Sequence, residues 1–199
     1  MSEDTAQKHA PARVVITGFM GAGKTTVARA LAARLGCDAL DLDEFVTARE
    51  GRGPQRIINE DGEPRFREIE THALRDALVQ TRARVVALGG GAWTLQANRE
   101  LIARAGYLSV WLDAPFELCW RRINEAAGEA RPLARDLERA RTLYGERRGL
   151  YALADRSVLV EAEKSVEGIA AEIEILLRPL QDERRAGEIN LQGGSKDDV

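Results

Sequence analysis

The chain is poor in lysine, histidine and cysteine, and each shortage narrows what it can do. Its 29 basic residues include four lysines, Lys8, Lys24, Lys164 and Lys196; the rest are arginines. A lysine used in chemistry is therefore easy to locate. Neither sign of charge dominates, with a net charge of −3 and a pI near 5.6, so no positive field draws the molecule onto nucleic acid or anionic lipid. Cys37 and Cys119 have no partner at metal or redox spacing and read as reduced core residues, and His9 and His72 have no partner by spacing. No apolar run reaches 18 residues, and residues 1–12 carry Glu3, Asp4 and Lys8 with no apolar stretch of signal-peptide type. We expect a cytoplasmic protein that works on small molecules, with no nucleic-acid or membrane partner.

What is present is an ordinary globular composition, 44% hydrophobic and 31% charged over 199 residues. At about 150 residues per domain this is one domain with small appendages, able to bury roughly 70% of its unfolded surface without disulfide or structural metal. Short β-branched runs at 13–17, 39–42, 84–88, 108–112 and 157–161 alternate with helical patterns. In the first helix, 24–35, Val27, Ala28, Leu31, Ala32 and Leu35 recur at 3–4 spacing, with Gly36 as C-cap. Another helix is expected near 95–103, one opened by Pro115 as its first residue, and a last one at 166–177. Strands separated by helices predict an α/β fold, a doubly wound five-stranded parallel sheet with helices on both faces. Two segments exceed what a crossover needs, a mostly helical insertion at 50–82 and a charged stretch at 121–148. Residues 1–12 and 181–199 are polar and aperiodic and are expected to be disordered tails flanking a domain at 13–180.

The strongest chemical signal is GFMGAGKT at 18–25, a G-x-x-x-x-G-K-[ST] motif set between a strand and a helix. Glycines let backbone N–H groups turn toward phosphate, the helix N-terminus adds partial positive charge, and Lys24 adds a mobile point charge. Gly21, Ala22, Gly23, Lys24, Thr25 and Thr26 are the candidate nucleotide contacts, and the Thr25 hydroxyl is a candidate Mg²⁺ ligand.

The phosphoryl acceptor must be read from other strand ends. Asp41 and Asp43 close the second strand, where alternation puts both carboxylates on one side. One would serve the metal and the other an acceptor hydroxyl; alternatively Asp43 is a helix N-cap. Three glycines at 89–91 follow the third strand at the edge where open α/β sheets bind ligands, or else form a flexible loop. Arg67 is either a ligand contact or the i,i+4 partner of Glu63. Arg131 and Arg147 lie among Glu129, Glu138 and Glu146, and spacing alone does not separate them from a solvated face.

Taken in order, GFMGAGKTT, Asp41-Leu42-Asp43, Gly62-Glu63 with Phe66-Arg67 and Glu70, the triple glycine, Arg131-Pro132-Leu133, and Arg147 four residues before Tyr151 with Ala154 and Asp155 following resemble the shikimate kinases over about residues 13–175. The resemblance implies a P-loop kinase that uses ATP and Mg²⁺ to phosphorylate the 3-hydroxyl of shikimate. It assigns Lys24 to the β- and γ-phosphates, Thr25 and Asp41 to Mg²⁺, and Asp43 to the reacting hydroxyl. Arg67 and Arg147 are assigned to the shikimate carboxylate, which a planar guanidinium fork suits. Gly90 offers its N–H to a ring hydroxyl, and Arg131 belongs to a lid at 122–135 that closes over the phosphates.

The chain departs from the family pattern at several positions. Gly53-Pro54 and Ile57-Ile58 replace the usual Ser-Ile and Ile-Phe, so Ile58 supplies aliphatic surface where an aromatic wall is usual. Trp93 is larger than the usual aliphatic and reads as a core residue. Arg121 and Arg122 compete for the adenine, and Arg148 competes with Arg147, which only its spacing to Tyr151 selects. A related kinase for another hydroxy acid, such as gluconate, fits the donor motif as well, but Arg67 and the glycine loop argue against it. A non-catalytic nucleotide sensor would be expected to lose Lys24, Asp43 or Arg131, and all three are present. A monomer is expected.

Overall fold

The structure is a computed structural model describing residues 13–80, 82–125 and 136–177. The expected tails at 1–12 and 181–199, and Arg131 with residues 126–135 of the expected lid, lie outside the described residues. Five strands, β1 (Val14–Thr17), β2 (Ala39–Asp41), β3 (Val85–Ala87), β4 (Leu108–Asp113) and β5 (Arg156–Leu159), form one parallel sheet in the order β2-β3-β1-β4-β5. Every residue of β1 and β3 is buried. Because successive side chains point to opposite faces, both faces of the sheet centre are covered, as a parallel sheet of apolar strands requires. At the edge, β5 exposes Arg156, Ser157 and Leu159 and buries Val158.

Eight α-helices surround the sheet among the described residues: α1 (Lys24–Arg34), α2 (Leu42–Glu50), α3 (Pro54–Asp61), α4 (Glu63–Gln80), α5 (Gln96–Arg104), α6 (Phe116–Glu125), α7 (Leu137–Tyr151) and α8 (166–177). The insertion at 50–82 becomes α3 and α4, and the charged stretch at 121–148 holds the end of α6 and most of α7. Gly36, at φ 59°, is the left-handed residue just past the α1 cap, Leu35. Pro115 is not the first helical residue. Its carbonyl accepts from Cys119 N at 3.1 Å, which makes it the residue before α6, where the absent N–H costs nothing.

Strand register aligns the loops that matter. Ile16 and Asp41 both pair with Ala87, so the chain leaves β1, β2 and β3 side by side at one sheet edge. The chain from β1 travels past β3 to β2, while the chain from β3 travels past β1 to β4. The loops after the neighbouring strands β1 and β3 therefore part in opposite directions and open a crevice, the place where such sheets bind ligands.

Candidate active site

The donor half is built from one contiguous loop. Gly18, Gly21 and Gly23 have φ of 141°, 79° and 93°, which L residues with a Cβ rarely adopt. Space is equally tight, since a Cβ on Gly21 would lie 2.5 Å from the Cys119 carbonyl oxygen. Gly23 caps α1 without a side chain, which leaves the N–H groups of the first turn to a ligand. Lys24 Nζ folds back over the loop and donates to the Phe19 carbonyl at 2.9 Å. Beneath it, burial pushes the Cys119 thiol up to about 11, consistent with an inert core residue.

The Thr25 hydroxyl donates to Asp41 Oδ2, so the two expected metal ligands touch. The other Asp41 oxygen, Oδ1, accepts from the N–H groups of Asp43 and Glu44 at 2.9 and 3.1 Å. Two expectations change here. Asp41 and Asp43 do not alternate along one strand, because β2 ends at Asp41 and α2 begins at Leu42; and Asp41, not Asp43, is the N-cap. Capping falls to Asp41, and the Asp43 carboxylate stands against the glycine loop. A Cβ on Gly89 would lie 2.6 Å from Asp43 Oδ1 and 2.8 Å from Glu70 Oε1.

The glycine loop is where the acceptor half converges. A Cβ on Gly91 would collide with the Arg67 guanidinium, and one on Gly90 would sit 3.7 Å from Met20 N and 3.9 Å from Arg147 Nη1. None of these three glycines has positive φ. Gly89 and Gly91 are small because Asp43, Glu70 and Arg67 occupy the space of their missing side chains, not because the chain turns sharply, whereas Gly90 has room for a Cβ in ordinary contact.

Arg67 donates from Nη1 to Glu70 at 2.6 Å and from Nη2 to Glu63 at 2.8 Å, so the i,i+4 pair expected from sequence exists alongside a second pair. The two partners differ, since Glu70 is 1% exposed and Glu63 59%. Burial opposes the Arg67 charge, but Glu70 and Glu63 outweigh it and hold the guanidinium above its ordinary pKa. Burial also lifts the Glu70 carboxyl above the usual range, with Asp43 adding to the rise and Arg67 and Arg147 only partly opposing it. Glu70 is a buried partner of Arg67 to which the sequence motif assigns no role. Its i+3 spacing from Arg67 was the available signal, and such spacings are too common on helices to single one out.

Tertiary contacts also separate the competing arginines. Arg147 Nη1 lies 3.4 Å from the Gly90 carbonyl, whereas Arg148 pairs with Asp113 at 3.0 Å and stacks on Trp111. Arg122 makes long contacts of 3.4 Å to the Gly21 and Ala22 carbonyls, and Arg121 lies at the surface near Glu125. Trp93 is buried, as expected of a core residue, but its indole N–H donates to the Leu150 carbonyl at 2.9 Å. Ile58, on α3, is half-buried against the core. Asp155 binds the Ser109 N–H and hydroxyl at 2.8 and 2.6 Å and joins β4 to the start of β5, a structural duty.

A phosphate-binding loop, a carboxylate over a glycine loop and two inward arginines at one crevice define a P-loop kinase for a small anionic acceptor. The sequence model of the shikimate kinase family matches residues 20–178. A shikimate kinase of Geobacter sulfurreducens is 42% identical over 171 residues, covering 84% of this chain and 92% of that protein. One from Ruegeria pomeroyi is 40% identical over 157 residues, 77% and 78% of the two chains. Among solved structures, shikimate kinase from Acinetobacter baumannii in complex with shikimate superposes with a TM-score of 0.76 at 31% identity, covering 87% of this chain and 96% of that one. A gluconokinase from Sinorhizobium meliloti, TM-score 0.57 at 18% identity, shares the fold alone. The chain belongs to the shikimate kinase family.

Proposed function

We propose that the protein transfers the γ-phosphoryl group of ATP to the 3-hydroxyl of shikimate, giving shikimate 3-phosphate and ADP for aromatic amino-acid biosynthesis. The observation that carries this reading is the convergence of Asp43, Arg67 and Arg147 on residues 89–91, with Gly90 beside Met20 of the phosphate loop. Donor and acceptor loops are then within reach of one in-line transfer, and positioning with charge stabilisation supplies most of the catalysis.

Each group has a derived task. The N–H groups around 21–26 and the Lys24 ammonium hold the phosphates. Asp43 accepts a hydrogen bond from the 3-hydroxyl and orients its oxygen toward the γ-phosphorus. As the new O–P bond forms, the bond to the β,γ-bridging oxygen breaks and the hydroxyl proton passes toward Asp43. Arg67 keeps its bond to buried Glu70 and exchanges its exposed Glu63 partner for the shikimate carboxylate, which Arg147 meets from α7. The Gly90 N–H faces a ring hydroxyl, and Arg131, outside the described residues, is assigned to the phosphates by the family resemblance alone.

Magnesium fits the donor set. Thr25 and Asp41 supply two oxygens in contact, and among the described residues no cluster of three acidic, cysteine or histidine side chains forms a protein cage. That suits an ion bound by one or two side chains together with phosphate oxygens. When bound, Mg²⁺ neutralises charge on the phosphates.

No helix among the described residues is long and apolar enough to cross a membrane. We place the enzyme in the cytoplasm as a monomer acting on these two small molecules, and light scattering of the purified chain tests the oligomeric state. The activity is tested by coupled ADP release with Mg²⁺ and ATP against shikimate, quinate, gluconate and no acceptor. Turnover with shikimate alone is expected; turnover with gluconate, or acceptor-independent hydrolysis only, overturns the assignment.

A further inference from the structure

The acceptor loop and the end of α7 are joined by two hydrogen bonds that run in opposite senses. From the loop side, Trp93 donates its indole N–H to the Leu150 carbonyl at 2.9 Å. From the helix side, the Tyr151 hydroxyl donates to the Gly90 carbonyl at 2.6 Å. Both side chains are buried, Trp93 to 3% and Tyr151 to 1% exposure. Tyr151 also stacks on Trp111 of β4, with ring centroids 6.4 Å apart. Arg147 lies one helical turn before Tyr151 and directs Nη1 at the same Gly90 carbonyl.

The helix itself does little to fix this turn. Gly145 and Gly149 stand in the α7 interior facing open space, and glycine weakens a helix interior. Carbonyls in a last turn lack intrahelical partners, and that of Leu150 takes the Leu153 N–H at 3.2 Å as well as the Trp93 indole. One turn before Arg147, Tyr144 ties α7 to the donor side through the Ala114 carbonyl at 3.0 Å and the Phe19 ring at 5.2 Å. Arg147 therefore lies between a donor-side tether and an acceptor-side clamp, and the clamp is the one that shares a residue, Gly90, with the acceptor loop.

We propose that Trp93 is a positioning residue for the acceptor: its indole N–H, with the Tyr151 hydroxyl, locks the last turn of α7 to residues 89–91, so that Arg147 and the Gly90 N–H meet the acceptor as one unit. The inference rests on Arg147 and Gly90 being acceptor groups. An aliphatic residue at 93 would fill the core but could not supply the N–H.

Trp93→Phe keeps an aromatic ring and removes the donor. The shikimate KM should rise about three- to ten-fold, the scale of one lost neutral hydrogen bond, while kcat and the ATP KM stay within about two-fold. Tyr151→Phe should act likewise, and the double variant should exceed either single variant by less than the product of the two, because both act on one unit. An unchanged shikimate KM in folded Trp93→Phe overturns the proposal, as does an equal loss in kcat and both KM values, which would mean general loosening. Thermal unfolding monitors the fold, and if Trp93→Phe does not fold, Tyr151→Phe carries the same test. Arg147→Lys is measured beside them. If it leaves the shikimate KM unchanged, the acceptor reading itself fails; if it raises KM while Trp93→Phe does not, the clamp alone fails.

Discussion

The two halves of the site are encoded in different ways. The donor half is eight consecutive residues whose backbone conformation is the functional feature, with positive φ at Gly18, Gly21 and Gly23 and a helix N-terminus immediately after. The proposed acceptor half draws Asp43 from α2, Arg67 and Glu70 from α4, Gly90 from the loop after β3, and Arg147 from α7, residues that meet only when the sheet brings those elements together. Gly89 and Gly91 also work differently, by yielding space to side chains from other elements. The local motif is set mainly by its own strand and helix, whereas an assembled site depends on every element that frames it.

Substitutions break this comparison in graded ways. Lys24→Ala should have the largest effect, lowering kcat by about 10²–10³-fold or more through loss of phosphate charge stabilisation, while shikimate binding measured without nucleotide stays intact. Near-normal kcat would remove the donor assignment. Asp43→Asn should lower kcat by about 10²-fold with ATP affinity retained. Equal damage to ATP binding would move Asp43 to the donor side. Arg67→Lys, which loses the fork shared by Glu70 and the acceptor carboxylate, should raise the shikimate KM by an amount worth about 1.5–3 kcal/mol with little change in the ATP KM.

Gly91→Ala sharpens the contrast further. The backbone at Gly91 accepts alanine, at φ −102°, but the new methyl lands on the Arg67 guanidinium. Shikimate KM should rise about ten-fold at nearly unchanged thermal stability, the pattern of a displaced ligand group and not of a strained turn. Unchanged KM would show that Arg67 moves aside at no cost.

The smallest effect concerns pH. Burial raises the Glu70 pKa above its ordinary value of 4.5, so the native state binds more protons than the unfolded state between 4.5 and the raised value. Its contribution is fully present below the unfolded pKa and is lost as pH rises through the folded pKa. Glu70→Gln removes that titration, so unfolding free energy measured across this window should decline less with pH than in wild type. Parallel curves would mean that Arg67, Asp43 and Arg147 together leave Glu70 with no net shift.

These differences follow what was legible beforehand. The five strands and the phosphate loop were readable from sequence because β-branched runs and glycine spacing are local properties. Asp43 was legible as an acceptor candidate but not in its placement, because capping by Asp41 depends on where β2 stops. Spacing to Tyr151 selected Arg147 over Arg148, but the physical reason lies with Gly90 and Asp113, more than 30 residues away in sequence. Trp93 looked like filler, since a side chain's volume is visible in sequence and the partner of its N–H is not.

The most direct test of the assembled acceptor site is a comparison of wild type and Arg67→Lys on shikimate and on its analogue with the carboxylate reduced to an alcohol. The account predicts a large KM penalty for the variant on shikimate and almost none on the alcohol, because the fork and the carboxylate form one interaction. The same penalty on both substrates would contradict it and return Arg67 to the role of a helix-surface ion pair.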